Sequence, residues 1–134
     1  MSTKIFVNLP VKDLTKSIHF FTELGYSVNP QFTDENAGCV VINEHIYTML
    51  LTEPFFKNFT KKTIVDATTS TEAIVALSTD SREEVDGLVD KALAAGGQVA
   101  TEPTDMGFMY SRSFSDLDGH IWEVLYMDPS HVQG

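Results

Sequence analysis

Cysteine is nearly absent from this 134-residue chain: Cys39 stands alone, so no disulfide can form within it. That fits a reducing compartment. No apolar run reaches the ~20 residues needed to cross a bilayer. The opening Met1-Ser2-Thr3-Lys4 does not lead into the apolar stretch of a secretion signal, so a cytoplasmic protein is expected. Basic residues are also few, nine Lys and Arg against nineteen Asp and Glu, for a formal net charge of −10. Such a surface repels phosphate backbones, so neither a nucleic-acid nor a membrane partner is expected. It serves solubility and is compatible with a cationic ligand. CxxC, HExxH, a glycine-rich phosphate loop and a Ser-His-Asp order are all missing, which sets those reaction classes aside. Cys39 itself sits in an apolar strand-like run, where a buried small hydrophobe is expected.

What the chain does contain is an internal echo. His45-Ile46-Tyr47-Thr48-Met49-Leu50 reads again as His120-Ile121-Trp122-Glu123-Val124-Leu125, at a spacing of 75. Ile5-Phe6-Val7-Asn8-Leu9 is matched by Ala73-Ile74-Val75-Ala76-Leu77, at a spacing of 68. A repeat of this length implies two copies of one supersecondary unit. The growth from 68 to 75 places seven extra residues in the second copy, in its longer helix and the 103–108 loop.

Each copy reads as βαβββ. In the first, residues 4–9 form a strand that Pro10 ends, and Asp13 caps a helix whose apolar stripe is Leu14, Ile18, Phe21 and Leu24. Gly25 closes that helix, and strands follow at 26–32, 38–42 and 45–52 around an Asn43-Glu44 turn. In the second, a strand spans 72–78. Ser81 and Glu84 form a capping box for a helix buried through Val85, Leu88, Val89, Ala92 and Leu93, which Gly96-Gly97 stops. A strand at 98–101 and a hairpin of 109–114 with 120–127, turned by Asp118-Gly119, complete it. The modules are placed at about 1–54 and about 72–130 of one 1–134 domain, with a linker at 55–71. The linker holds Phe55, Phe56 and Phe59, more aromatic surface than a flexible tether carries, so it is expected to pack on a sheet or to cover a pocket.

Two βαβββ units, Leu24-Gly25-Tyr26 after the first helix, and Asp116-Leu117-Asp118-Gly119-His120 followed by Trp122-Glu123-Val124 together resemble the vicinal oxygen chelate superfamily, which includes glyoxalase I, extradiol dioxygenases, and fosfomycin- and bleomycin-resistance proteins. The resemblance implies an α+β fold of two pseudo-symmetric modules whose curved sheets surround a cleft. It also implies a homodimer. Metal-dependent members draw one ligand from the first strand and one from the last strand of each module. Here those positions fall on Phe6, Thr48, Ile74 and Glu123, with Leu50 sharing the Thr48 face. Only Glu123 is a good ligand. Asn8, Thr48 and Glu123 would make a weak hard-oxygen trio, so no metal and no cofactor are expected.

Glu123 is then the candidate catalytic residue or cation anchor, since a carboxylate among apolar neighbours suits a base. It is equally readable as the partner of Arg112 across the final hairpin, while Arg112 is also suited to an anionic ligand. Met106, Phe108 and Tyr110 line an adaptable loop leading to Arg112 and join Phe6, Asn8, Thr48, Leu50 and Ile74 as candidate ligand contacts. Tyr47 and Trp122, of opposite parity, are expected in the core. The reading is a protein that binds a small molecule in the inter-module cleft without the usual metal. The alternatives are a lactoylglutathione-lyase-like lyase or isomerase using Glu123 as base or metal ligand, and a structural dimer whose cavity is filled by its own side chains.

Overall fold

The structure is a computed structural model that describes residues 3–131. It divides into two compact units, Met1–Val65 and Asp66–Gly134. The expected linker is therefore shared: residues up to 65 belong to the first unit, and 66–71 begin the second.

The first unit runs β1 (Ile5–Val11), α1 (Leu14–Glu23), β2 (Ser27–Val28), β3 (Ala37–Val41), β4 (Ile46–Thr52) and the single-turn α2 (Glu53–Phe56), with sheet order β1-β4-β3-β2. β1 and β4 are parallel, and the other pairs are antiparallel. The Asp13 carboxylate accepts from the Lys16 N–H, satisfying one of the donors that a helix start leaves open. Gly25 takes φ 105° at the other end, where a side chain would clash with the backbone. Leu14, Phe20, Phe21 and Leu24 are buried. Burying each such side chain contributes about 1.5–3 kcal/mol before entropic costs.

Two expectations are corrected here. Pro10 does not end β1, which continues to Val11: β1 is an edge strand of its sheet, where the missing N–H is tolerated. The strand expected over 26–32 is only Ser27–Val28. Asn29 then caps a 3₁₀ turn over Pro30–Phe32, its side chain accepting from the Gln31 N–H.

The second unit runs β5 (Ile74–Ser78), α3 (Arg82–Ala94), β6 (Gln98–Val99), β7 (Thr104–Asp105), β8 (Met109–Ser115) and β9 (Ile121–Met127), with sheet order β5-β9-β8-β6 and β7 added beside β8. The short β7 falls in what sequence reading treats as a loop. The capping box forms with a displacement: Ser81 Oγ accepts from the Glu84 N–H, but the Glu84 carboxylate accepts from the Asp80 N–H, one residue before the cap. At the hairpin, Gly119 adopts φ 90° and its N–H donates to the Asp116 carbonyl. Among the described residues no helix is long and apolar enough to cross a membrane.

The registers fix how the copies correspond. Asp13 and Ser81, the two helix caps, stand at a spacing of 68, as do Phe6 and Ile74. Phe6 pairs with Tyr47 and Ile74 with Ile121, so the last strands match at a spacing of 74, not 75. The second copy therefore has six extra residues, not seven. Three lengthen α3 relative to α1, since the helix-closing Gly25 and Gly96 are 71 apart, and the rest lie between β6 and β8. The shared His-Ile pairs at 45 and 120 are out of structural register by one. In a strand, a slip of one exchanges the two faces.

Candidate functional site

Which face each strand residue occupies follows from the helices. A Cβ on Gly38 would stand 2.8 Å from Ile18 Cδ1 of α1, so Gly38 faces the helix. Its partners Leu50 and Leu9, and Val40 opposite Thr48, share that face. Thr48 and Leu50 are accordingly 1% and 0% exposed beneath α1 and are withdrawn as ligand contacts. The helix-free face instead presents Phe6 and Asn8 from β1 beside Tyr47, Met49 and Leu51 from β4. Tyr47, expected in the core, stacks on Phe6 with ring centroids 4.8 Å apart. Phe6 remains 49% exposed.

In the second sheet, the α3 side carries Phe114, Trp122 and Val124, all buried. Arg112 shares that side: its guanidinium donates to Asp86 at 2.9 Å and Asp90 at 3.0 Å, both on α3. Tyr110 donates to Asp86 at 2.6 Å. Neither Arg112 nor Tyr110 therefore lies on the face of Glu123, and the Arg112–Glu123 pair does not form. The Tyr110 hydroxyl and the Arg112 guanidinium together hold the Asp86 carboxyl below its ordinary value, and Asp86 in turn pushes the Tyr110 phenol up.

The expected Met106–Phe108 loop is likewise committed to α3. Arg82, the first residue of that helix, clamps both Asp105 carboxylate oxygens and the Gly107 carbonyl. The clamp lowers the Asp105 carboxyl to about 2. Met106 is exposed, and the Phe108 carbonyl accepts from the Asp128 N–H at 2.7 Å.

Glu123 lies on the helix-free face of the second sheet, in register between Ala76 of β5 and Ser113 of β8. Ile74, Ile121 and Leu125 share this face. The Glu123 carboxylate is half-buried, and no hydrogen bond or ion pair engages it among the described residues. Corrected register gives it a counterpart that sequence reading missed, Met49. The four positions at which metal-dependent relatives place ligands are thus Phe6, Met49, Ile74 and Glu123, two in each unit. One carboxylate, one thioether and two hydrocarbon side chains do not fit a divalent ion, which takes several oxygen or nitrogen donors. Among the described residues no group of three or more His, Cys, Asp or Glu is placed to hold a metal.

Two polar clusters were not foreseen. The carboxylate of buried Asp116 accepts from Trp122 Nε1 at 3.0 Å and from the N–H groups of Asp118 and His120, while burial pushes its carboxyl up. His120 is buried with Nδ1 2.8 Å from Glu72. Both brace the β8–β9 turn rather than the helix-free face. The aromatic linker packs on its sheet and also lines a cavity. α2 packs on β1 and β4, and Phe56, Phe59 and Thr60 join Asn8 and Leu51 around a cavity of about 280 Å³.

The sheet order repeated in two βαβββ units, each with its one long helix on the same face of its sheet, defines a two-module α+β protein of the vicinal oxygen chelate type. The chain belongs to the Glyoxalase/Bleomycin resistance protein/Dioxygenase superfamily, whose profile matches residues 5–124. It is similar to the solved structure of a hypothetical protein from S. aureus, with 34% identity over 94% of this chain and 95% of that one, at a TM-score of 0.78. It shares its fold with a family enzyme from Burkholderia phytofirmans PsJN (14% identity, 94% and 99% coverage, TM-score 0.76). The same holds for a genomically encoded fosfomycin resistance protein from Listeria monocytogenes (21% identity, 94% and 91% coverage, TM-score 0.66). Comparison with curated proteins finds no match.

Proposed function

We propose that this protein binds a small organic molecule on the helix-free faces of its sheets, without a divalent metal, and that Glu123 makes the polar contact. The observation that carries this reading is the donor set: of Phe6, Met49, Ile74 and Glu123, only Glu123 offers an oxygen. A half-buried carboxylate with no partner among the described residues is left to find one in a ligand, either an ammonium or a donated N–H or O–H. The surrounding hydrocarbon surface supplies the apolar contact that small-molecule sites use.

The test is elemental analysis of the purified protein, calorimetric titration with nickel, zinc and manganese, and a thermal-shift screen of amines and neutral apolar compounds on wild type and Glu123→Gln. Binding of an organic ligand that Glu123→Gln weakens, with no tight metal uptake, supports the proposal. Near-stoichiometric metal overturns it. The enzymatic alternative, a lyase or isomerase with Glu123 as base, draws on the same carboxylate. It predicts turnover of the bound compound that Glu123→Gln abolishes.

A further inference from the structure

The cavity in the first unit has a chemistry of its own. Its floor is the helix-free sheet face, Asn8 of β1 and Leu51 of β4, and its walls are Phe56, Phe59 and Thr60 from the segment after β4. The volume, about 280 Å³, is that of a small one- or two-ring compound. Phe59 is 67% exposed, held edge-on against Phe55 with ring centroids 5.3 Å apart. A large aromatic ring kept in water at a cavity mouth is a surface ready to stack. Asn8 brings an exposed amide, and Thr60 brings a hydroxyl whose oxygen accepts from the Lys62 N–H.

The segment that walls the pocket is lysine-rich. Lys57, Lys61 and Lys62 lie close together in sequence and make up three of the chain's nine basic side chains, while residues 53–65 contain a single acid, Glu53. In a chain of net charge −10, residues 53–65 are locally cationic, as residues 3–22 of the same unit also are. An aromatic wall with an amide at its base and a lysine-rich flank matches a flat apolar molecule that carries a negative charge.

We propose that the first unit contains a binding pocket for small aromatic anions, with Phe56 and Phe59 stacking on the ring and Asn8 donating to the anionic group. The site lies within residues 1–65 and does not depend on the role of Glu123.

The probe is naphthalene-1-sulfonate, a two-ring aromatic anion whose own fluorescence reports binding, titrated at two salt concentrations beside 1-methylnaphthalene, which has the rings without the sulfonate. One saturable site is expected, weakened by salt and tighter for the sulfonate. Phe59→Ala is expected to raise Kd about tenfold, from loss of one stacking face. Asn8→Asp is expected to raise it by a similar factor, from like-charge repulsion. Both residues are exposed, so the fold should tolerate each change. Circular dichroism checks that it does. A Kd within about twofold of wild type in both Phe59→Ala and Asn8→Asp, or equal affinity for the neutral analogue, overturns the proposal.

Discussion

Met49 of β4 and Glu123 of β9 are structural counterparts, at a spacing of 74 and each on the helix-free face of its own sheet. One copy of the unit keeps a carboxylate at this place and the other a thioether. Because no hydrogen bond or ion pair engages the Glu123 carboxylate among the described residues, replacing it should cost the fold little. Glu123→Gln is expected to shift the urea-unfolding free energy by less than ~0.5 kcal/mol. A loss of several kcal/mol would reveal a structural partner and remove Glu123 from the ligand reading.

The exchange of faces makes a second prediction by contrast. Leu50 is fully buried beneath α1, whereas Phe6 is half-exposed and rests on Tyr47. Leu50→Ala should cost ~2–5 kcal/mol by opening a cavity, and Phe6→Ala only ~0.5–1.5 kcal/mol, mostly the lost ring stacking. Denaturant melts of the two variants would show the order. If Phe6→Ala were the costlier, the ring would be part of a filled core rather than a free binding surface.

Asp116 should be the least replaceable acid in the second unit. It receives three N–H groups, including the Trp122 indole, inside the turn before β9. Asp116→Ala would remove the acceptor that these three donors share, at an expected ~2–4 kcal/mol. Asp116→Asn should recover part of this, because its carbonyl oxygen still accepts. Comparable melting of the two variants would contradict this account.

The pH dependence of folding divides these acids into opposing groups. Asp105 and Asp86 have folded values below their ordinary ones, so each contributes stability above the ordinary carboxylate value and loses it as pH falls through the folded value, about 2 for Asp105. Asp116 has a raised folded value, so its ionisation opposes folding as pH rises through the window above its ordinary value. In Arg82→Gln, carbon-detected NMR titration should find the Asp105 midpoint moved from about 2 toward its unperturbed 3.8. An unmoved midpoint would mean that the Arg82 clamp does not form in solution.

Gly119 gives a backbone prediction. It sits at φ 90°, and a Cβ there would come within 2.7 Å of the Ala67 carbonyl oxygen. Gly119→Ala combines a disfavoured conformation with contact against rigid backbone, and should cost ~1–3 kcal/mol in a melt.

Much of this fold was legible from short-range chemistry. Asp13, Ser81, Gly25 and the Gly119 turn announced themselves because caps and turns are read by adjacent residues. The repeat was legible too, but its register in the last strand was not. The identical His-Ile pairs drew the alignment one residue off, although the alternation of Thr48 and Leu50 against Trp122 and Val124 held the correct phase. That single slip put Thr48 and Leu50 at the site and hid Met49. Arg112 was misplaced for a different reason: its partners, Asp86 and Asp90, are on a helix far back in the sequence, and pairing across elements leaves no local trace. The pocket of Phe56 and Phe59 was half-visible, since composition marked the segment as unusual but could not say which strand residues lay beneath it.

The six additional residues of the second copy fall at the end of α3 and between β6 and β8, outside the strands that carry Ile74 and Glu123. Length gained in such places does not disturb which way a strand residue points. The two halves of the chain are thus free to diverge in size and loop chemistry while their ligand-facing positions stay in phase. Variants that shorten the 100–103 stretch should therefore be tolerated better than ones that remove 104–107, where β7 and the Arg82 clamp tie the loop to β8 and α3.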